Sequence, residues 1–163
     1  MRVLQLLSGI FGNGRWCPGF RGAGDYPTAW APLSPNGGLE WLKLDYQNTV
    51  KVAEVRVRES YNPGAVYKIT AVDGNGGELT LWEGTEIAGP APYDSIFHPA
   101  GQVYTQSIKI YLDTSRVPSW SEIDAVELVG RDGSRQWAVG ASASSTYASQ
   151  LAGGGTGLTE PGP

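Results

Sequence analysis

One cysteine and one histidine in 163 residues remove several kinds of chemistry at the outset. With Cys17 alone, no intrachain disulfide can form and no cysteine-rich zinc site can assemble. That suits a reducing compartment, and equally an exported bacterial module that never relied on disulfides. Charge is scarce as well: 17% of residues are charged, the net charge is −4 and the pI is near 4.9. Gripping a phosphate backbone takes clustered Lys and Arg, so nucleic acid is set aside as a partner. Long apolar runs are missing too. The run Val3-Leu4-Gln5-Leu6-Leu7 is too short and broken to span a bilayer and has no clear small-residue cleavage site after it.

Catalytic signatures are equally thin. A Ser–His–acid triad would have to use His98, which sits between Phe97 and Pro99 in an expected loop. The stretch Gly140-Ala141-Ser142-Ala143-Ser144 lacks the second glycine of a nucleophile elbow. Carboxylate pairs such as Glu83 with Glu86, or Asp124 with Glu127, are spaced like ordinary strand or loop charges. Asp124 and Glu127 would also face opposite sides of one strand. Asp73-Gly74-Asn75-Gly76-Gly77 lacks the remaining acidic positions of a calcium loop and reads as a turn. The expectation is a protein that is not an enzyme.

What the chain does have is turn formers and rings: 23 Gly, 11 Pro, 6 Trp and 8 Tyr, the makings of short strands joined by tight turns. After an irregular, glycine-punctuated segment over 1–23, alternation sets in. Leu42, Leu44 and Tyr46 share one face, with Lys43 and Asp45 on the other. Val55 and Val57 then point inward, out of phase with Val50 and Val52, which predicts a bulge near Ala53-Glu54. Strands are expected over 65–72 and 78–83, joined by the Asp-Gly and Asn-Gly turn. The proline-bearing stretch 84–101 reads as one long loop. Further strands are expected over 106–113, 122–129 and 135–141, and residues 149–163 read as a Gly/Pro-rich tail or linker. Seven or so strands without an amphipathic helix predict an all-β, antiparallel β-sandwich.

Three segments carry a resemblance: Gly24-Asp25-Tyr26-Pro27-Thr28-Ala29-Trp30-Ala31-Pro32, Glu59-Ser60-Tyr61-Asn62-Pro63-Gly64-Ala65-Val66, and Val117-Pro118-Ser119-Trp120-Ser121-Glu122-Ile123-Asp124-Ala125-Val126-Glu127-Leu128. With Glu40-Trp41-Leu42 and Leu81-Trp82-Glu83-Gly84 between them, their order resembles the discoidin-like, galactose-binding superfamily, which includes the coagulation factor V/VIII type C-like carbohydrate-binding modules. The likeness implies a galactose-binding-like jelly roll over 24–148, in an extracellular or cell-surface adhesion or accessory module of a bacterial protein. It also implies a structural calcium ion, with Asp25 and Glu122 as the matching carboxylates. Residues 136–148 resemble the opening of such a domain rather than its end. Two readings stay open: a tandem array cut where its next repeat begins, or a first strand supplied by 136–148, within the chain or to a neighbour by strand exchange in a homo-oligomer.

For the ligand, a glycan or cell-surface polysaccharide is expected, because sugars stack their C–H faces on rings and want planar hydrogen-bond partners. Trp30, Tyr61, Asn62, Tyr93, His98 and Trp120 fall in expected loops or at strand ends, and Arg58 or Arg116 could donate to hydroxyls or a carboxylate. Beside this stands the plainer account that tryptophans near Pro and Gly plug the ends of a sandwich core, and that Tyr61–Gly64 is a fixed turn. The alternative function is a structural or assembly module with no small ligand.

Overall fold

In the computed structural model, which describes residues 29–147, the chain forms eight strands and one 3-10 turn, at Thr114–Arg116. The strands are β1 (Leu39–Tyr61), β2 (Val66–Val72), β3 (Glu78–Glu83), β4 (Tyr93–Phe97), β5 (Tyr104–Asp113), β6 (Glu122–Gly130), β7 (Arg135–Trp137) and β8 (Gly140–Ala143). They build an antiparallel β-sandwich. One sheet runs β3-β2-β5-β1-β8 and the other β4-β1-β6-β7, with β1 serving both.

The two expected first strands are thus one strand that changes sheets. Its first half pairs β5, with Leu39 opposite Asp113 and Lys51 opposite Tyr104. Its second half pairs β6, with Val52 opposite Gly130 and Tyr61 opposite Glu122. The register breaks between Asp45 and Val50, and again between Val52 and Glu54, where the phase of the valines predicts a bulge. The extra residues let the strand turn back. Both of its ends therefore meet at one end of the sandwich: four residues after Tyr61, the Ala65 carbonyl accepts from the Asp113 N–H at 2.8 Å, and Asp113 is the partner of Leu39.

The alternating residues meet in one core. Leu42, Leu44, Val52, Val57, Ile69, Ile108, Ile110, Leu112, Ile123 and Leu128 have no solvent exposure. Each such burial is worth about 1.5–3 kcal/mol against an exposed side chain. The β2–β3 turn closes as its residues dictate: the Asp73 carboxylate accepts from the Asn75 and Gly77 N–H groups at 2.8 Å, and Gly76 takes φ +83°.

Two expectations need correcting. The stretch 84–101 is not one loop, since β4 lies inside it and pairs with β1, Tyr93 opposite Glu59 and Phe97 opposite Val55. Flanking prolines and the inward polar Ser95 hide its alternation. The expected strand over 135–141 is two strands: β7 edges the β6 sheet, and Ala138-Val139 carries the chain across to β8, which pairs Leu42–Asp45 within the same chain. The segments 1–23 and 149–163 lie outside the described residues.

Candidate functional site

The end where β1 starts and finishes gathers most of the expected ligand residues. Tyr61 closes β1 and is 36% exposed. Asn62 follows with φ +43°, a left-handed conformation that Asn tolerates better than most residues, and its Nδ2 donates to the Trp120 carbonyl at 2.9 Å. That bond ties the Tyr61–Gly64 turn to the loop 117–121. The Trp120 ring meets the edge of Tyr147, centroids 5.9 Å apart. Two buried polar atoms side by side in sequence, Trp120 Nε1 and Ser121 Oγ, have no hydrogen-bond partner among the described residues.

The other expected residues divide. Trp30 has no exposure: its backbone bridges Ile123 in both directions, and its Nε1 donates to the Ser145 carbonyl at 3.1 Å. Its ring faces belong to the core, so it is removed from the sugar-stacking set. Arg116 lies at the same end, bound to Asp113 and 5.6 Å over the Tyr67 ring. Arg58 sits between the inward Val57 and Glu59 and bonds Asp94 at 2.8 Å. Tyr93 opens β4 at this end. His98 follows the other end of that strand, about 16 Å away at the rise of an extended chain, and is separated from the cluster.

Asp25 lies outside the described residues. Glu122 is 4% exposed and accepts from the Ser60 hydroxyl at 3.3 Å. Among the described residues no group of three or more His, Cys, Asp or Glu side chains converges to hold a metal. The other expected carboxylate, Asp25, is not among them, so nothing below is derived through an ion.

Sequence reading missed a second feature, on the open side of the sandwich between β3 and β4. A cleft of about 380 Å³ is lined by Trp82 of β3, by β4 and by the segment 85–87. Beneath it, Glu59 is completely buried and Glu86 is 7% exposed. The Ser95 hydroxyl lies within hydrogen-bond reach of both carboxyls, 2.9 Å from Glu59 and closer still to Glu86, while the Val66 N–H donates to Glu86 at 2.8 Å. Ser95 has one hydrogen and cannot serve two carboxylates, so one acid must carry a proton. Burial, with Glu86 bonded alongside, pushes Glu59 up to about 10. Glu59 is the acid held protonated. Glu86 is therefore not the ordinary loop charge its spacing from Glu83 suggested, and only the fold could bring it to Glu59.

No protein family, curated protein or solved structure was found to match the chain.

Proposed function

We propose that this chain is a non-catalytic carbohydrate-binding module of the discoidin-like kind, taking a glycan at the end built by Tyr61, Asn62, Trp120 and Tyr147. One observation carries the reading: the part-exposed rings of Tyr61 and Tyr147 lie at one end of the sandwich, Tyr147 packed edge-on against Trp120 and the Tyr61–Gly64 turn tied to the Trp120 carbonyl through Asn62. Rings at the rim supply the apolar surface a sugar face needs. The reading carries with it an extracellular setting and a structural calcium at Asp25 and Glu122, as the resemblance implies. A glycan array in calcium-containing buffer tests it. A coherent set of bound sugars is expected, with affinity falling on the order of tenfold, about 1.4 kcal/mol, in Tyr61→Ala and in Tyr147→Ala. A blank array with folded protein overturns the reading.

A second reading, assembly by strand exchange, is favoured by how residues 140–147 are held. Ser144 and Ser145 hydroxyls bond Glu40, the Ser144 N–H donates to the Trp41 carbonyl, and the Tyr147 N–H donates to Ala31. Almost all of this grip is hydrogen bonding along a sheet edge, which a second copy reproduces equally well, and the link to β7 is only Ala138-Val139. Lys43 and Ser142 are cross-strand neighbours. In a Cys17→Ser background, oxidised Lys43→Cys/Ser142→Cys protein runs as a covalent dimer if strands exchange. Cross-linked monomer alone overturns exchange.

A further inference from the structure

The outward face of the β3-β2-β5-β1-β8 sheet carries rings where a solvated sheet face normally carries polar side chains. Leu42, Ile110 and Ile69 point into the core, so their chain neighbours Trp41, Tyr111 and Lys68 point out. The register sets these three side by side, Trp41 opposite Tyr111 and Tyr111 opposite Lys68. Tyr67 joins them at a register shift in β2, its ring centroid 6.1 Å from that of Tyr111. Trp41, Tyr111 and Tyr67 thus form one row across three adjacent strands about 4.8 Å apart. All three are half-exposed.

Cations hold the row in place. The Lys109 ammonium lies 4.7 Å from the Trp41 ring centroid and 4.9 Å from that of Tyr111, and the Arg116 guanidinium lies 5.6 Å over Tyr67. Each cation is in turn fixed by a carboxylate, Lys109 by Glu78 at 3.0 Å and Arg116 by Asp113 at 3.3 Å. Glu78 also accepts from the Tyr111 hydroxyl at 2.5 Å. Lys43 bonds Asp45 at 2.8 Å, and Lys68 lies 3.9 Å from Glu83. These four pairs leave the row's surroundings without net charge, yet they set donors and acceptors along both of its sides. Asp113 and Arg116 stand toward the loop end, Lys43 and Lys109 on the opposite side. A charged ligand would have to break these pairs. An uncharged chain of hydroxyl-bearing rings would not, since hydroxyls can bond to charged partners that stay paired.

We infer that this sheet face is a second binding surface, for an extended stretch of an uncharged polysaccharide whose sugar rings follow one another along the row. Trp41, Tyr111 and Tyr67 supply the surface on which the apolar sugar faces stack, and the charge pairs on either side bond to the hydroxyls. The spacing of adjacent strands is close to the length of one sugar unit in an extended chain, so consecutive units meet consecutive rings. The inference does not depend on the loop-end reading, since the row shares no residue with Tyr61, Asn62, Trp120 and Tyr147.

Calorimetric titration of the full chain with β-1,4-linked hexamers of glucose, mannose and xylose tests this. The expected result is saturable binding of at least one hexamer and at least tenfold weaker binding of the corresponding dimer, which covers fewer rings. Trp41→Leu and Tyr67→Leu keep an apolar side chain in place and remove the ring. Both, checked for folding by their melting curves, should weaken the hexamer at least tenfold. Binding that survives Tyr61→Ala and falls in Trp41→Leu supports the surface whatever becomes of the loop-end site. No binding of any hexamer, equal affinity for hexamer and dimer, or an affinity indifferent to both ring variants overturns it. Weakening in Tyr61→Ala but not in Trp41→Leu would assign the ligand to the loop end and also overturn it.

Discussion

Replacing Glu59 by Gln is expected to leave the protein folded and to abolish most of the decline in stability expected of the parent from weakly acid to alkaline pH. In the unfolded chain Glu59 loses its proton near 4.5, whereas in the fold it holds the proton up to about 10. Between those values the native state binds one more proton than the unfolded state, so stability falls as pH rises. The contribution is complete below the unfolded value and lost as the pH passes the folded one. For one proton the slope is about 1.4 kcal/mol per pH unit, large against a typical stability of about 5–15 kcal/mol. Gln keeps the volume and donates permanently to Glu86, so the variant should be the more stable protein at alkaline pH. Urea midpoints measured across this range decide the matter. A parallel pH dependence in parent and Glu59→Gln would mean that the shared proton does not sit on Glu59.

Trp30→Ala is expected to be the most damaging single truncation, costing about 3–5 kcal/mol and on the order of 10–20 °C in Tm. The ring is wholly buried, and its Nε1 bond to Ser145 is one of the ties that hold the segment after β8. Trp30→Phe keeps most of the packing and loses that bond with a smaller ring volume, a cost of at least about 1 kcal/mol but well below that of Ala. The milder variant separates packing from anchoring. Hydrogen exchange should quicken at the Ser144 and Tyr147 amides, which donate to Trp41 and Ala31, while Ile108 and Ile110 stay protected. A Trp30→Ala protein that melts with the parent would show the ring to be surface after all and return Trp30 to the ligand set.

Much of the fold was legible because burial in a strand has a period of two. Leu42, Leu44, Val55, Val57, Ile108, Ile110 and Leu112 could be assigned inward from alternation alone, and all are buried. The phase slip between Val52 and Val55 even located a bulge. β4 escaped because its inward positions are Tyr93, Ser95 and Phe97, and a buried serine makes no apolar pattern. Its partner is a carboxyl pair, so the rule that normally reveals a strand worked against it.

The candidate sites divide along the same line. The chain's own order of residues determined an antiparallel sandwich, its tight turns, the lack of disulfide or cysteine-rich zinc chemistry, and a set of rings near strand ends, because each follows from local geometry or from counting side chains. Tertiary structure alone decided that β1 doubles back so that Leu39 and Tyr61 share one end, that Trp30 is core while Tyr61 is rim, and that His98 stands apart. It also brought Glu59 to Glu86, 27 residues onward, around one serine hydroxyl. Whether a carboxyl is a solvated charge or a buried acid holding its proton depends on desolvation and on what lies opposite, and both are properties of packing between distant segments.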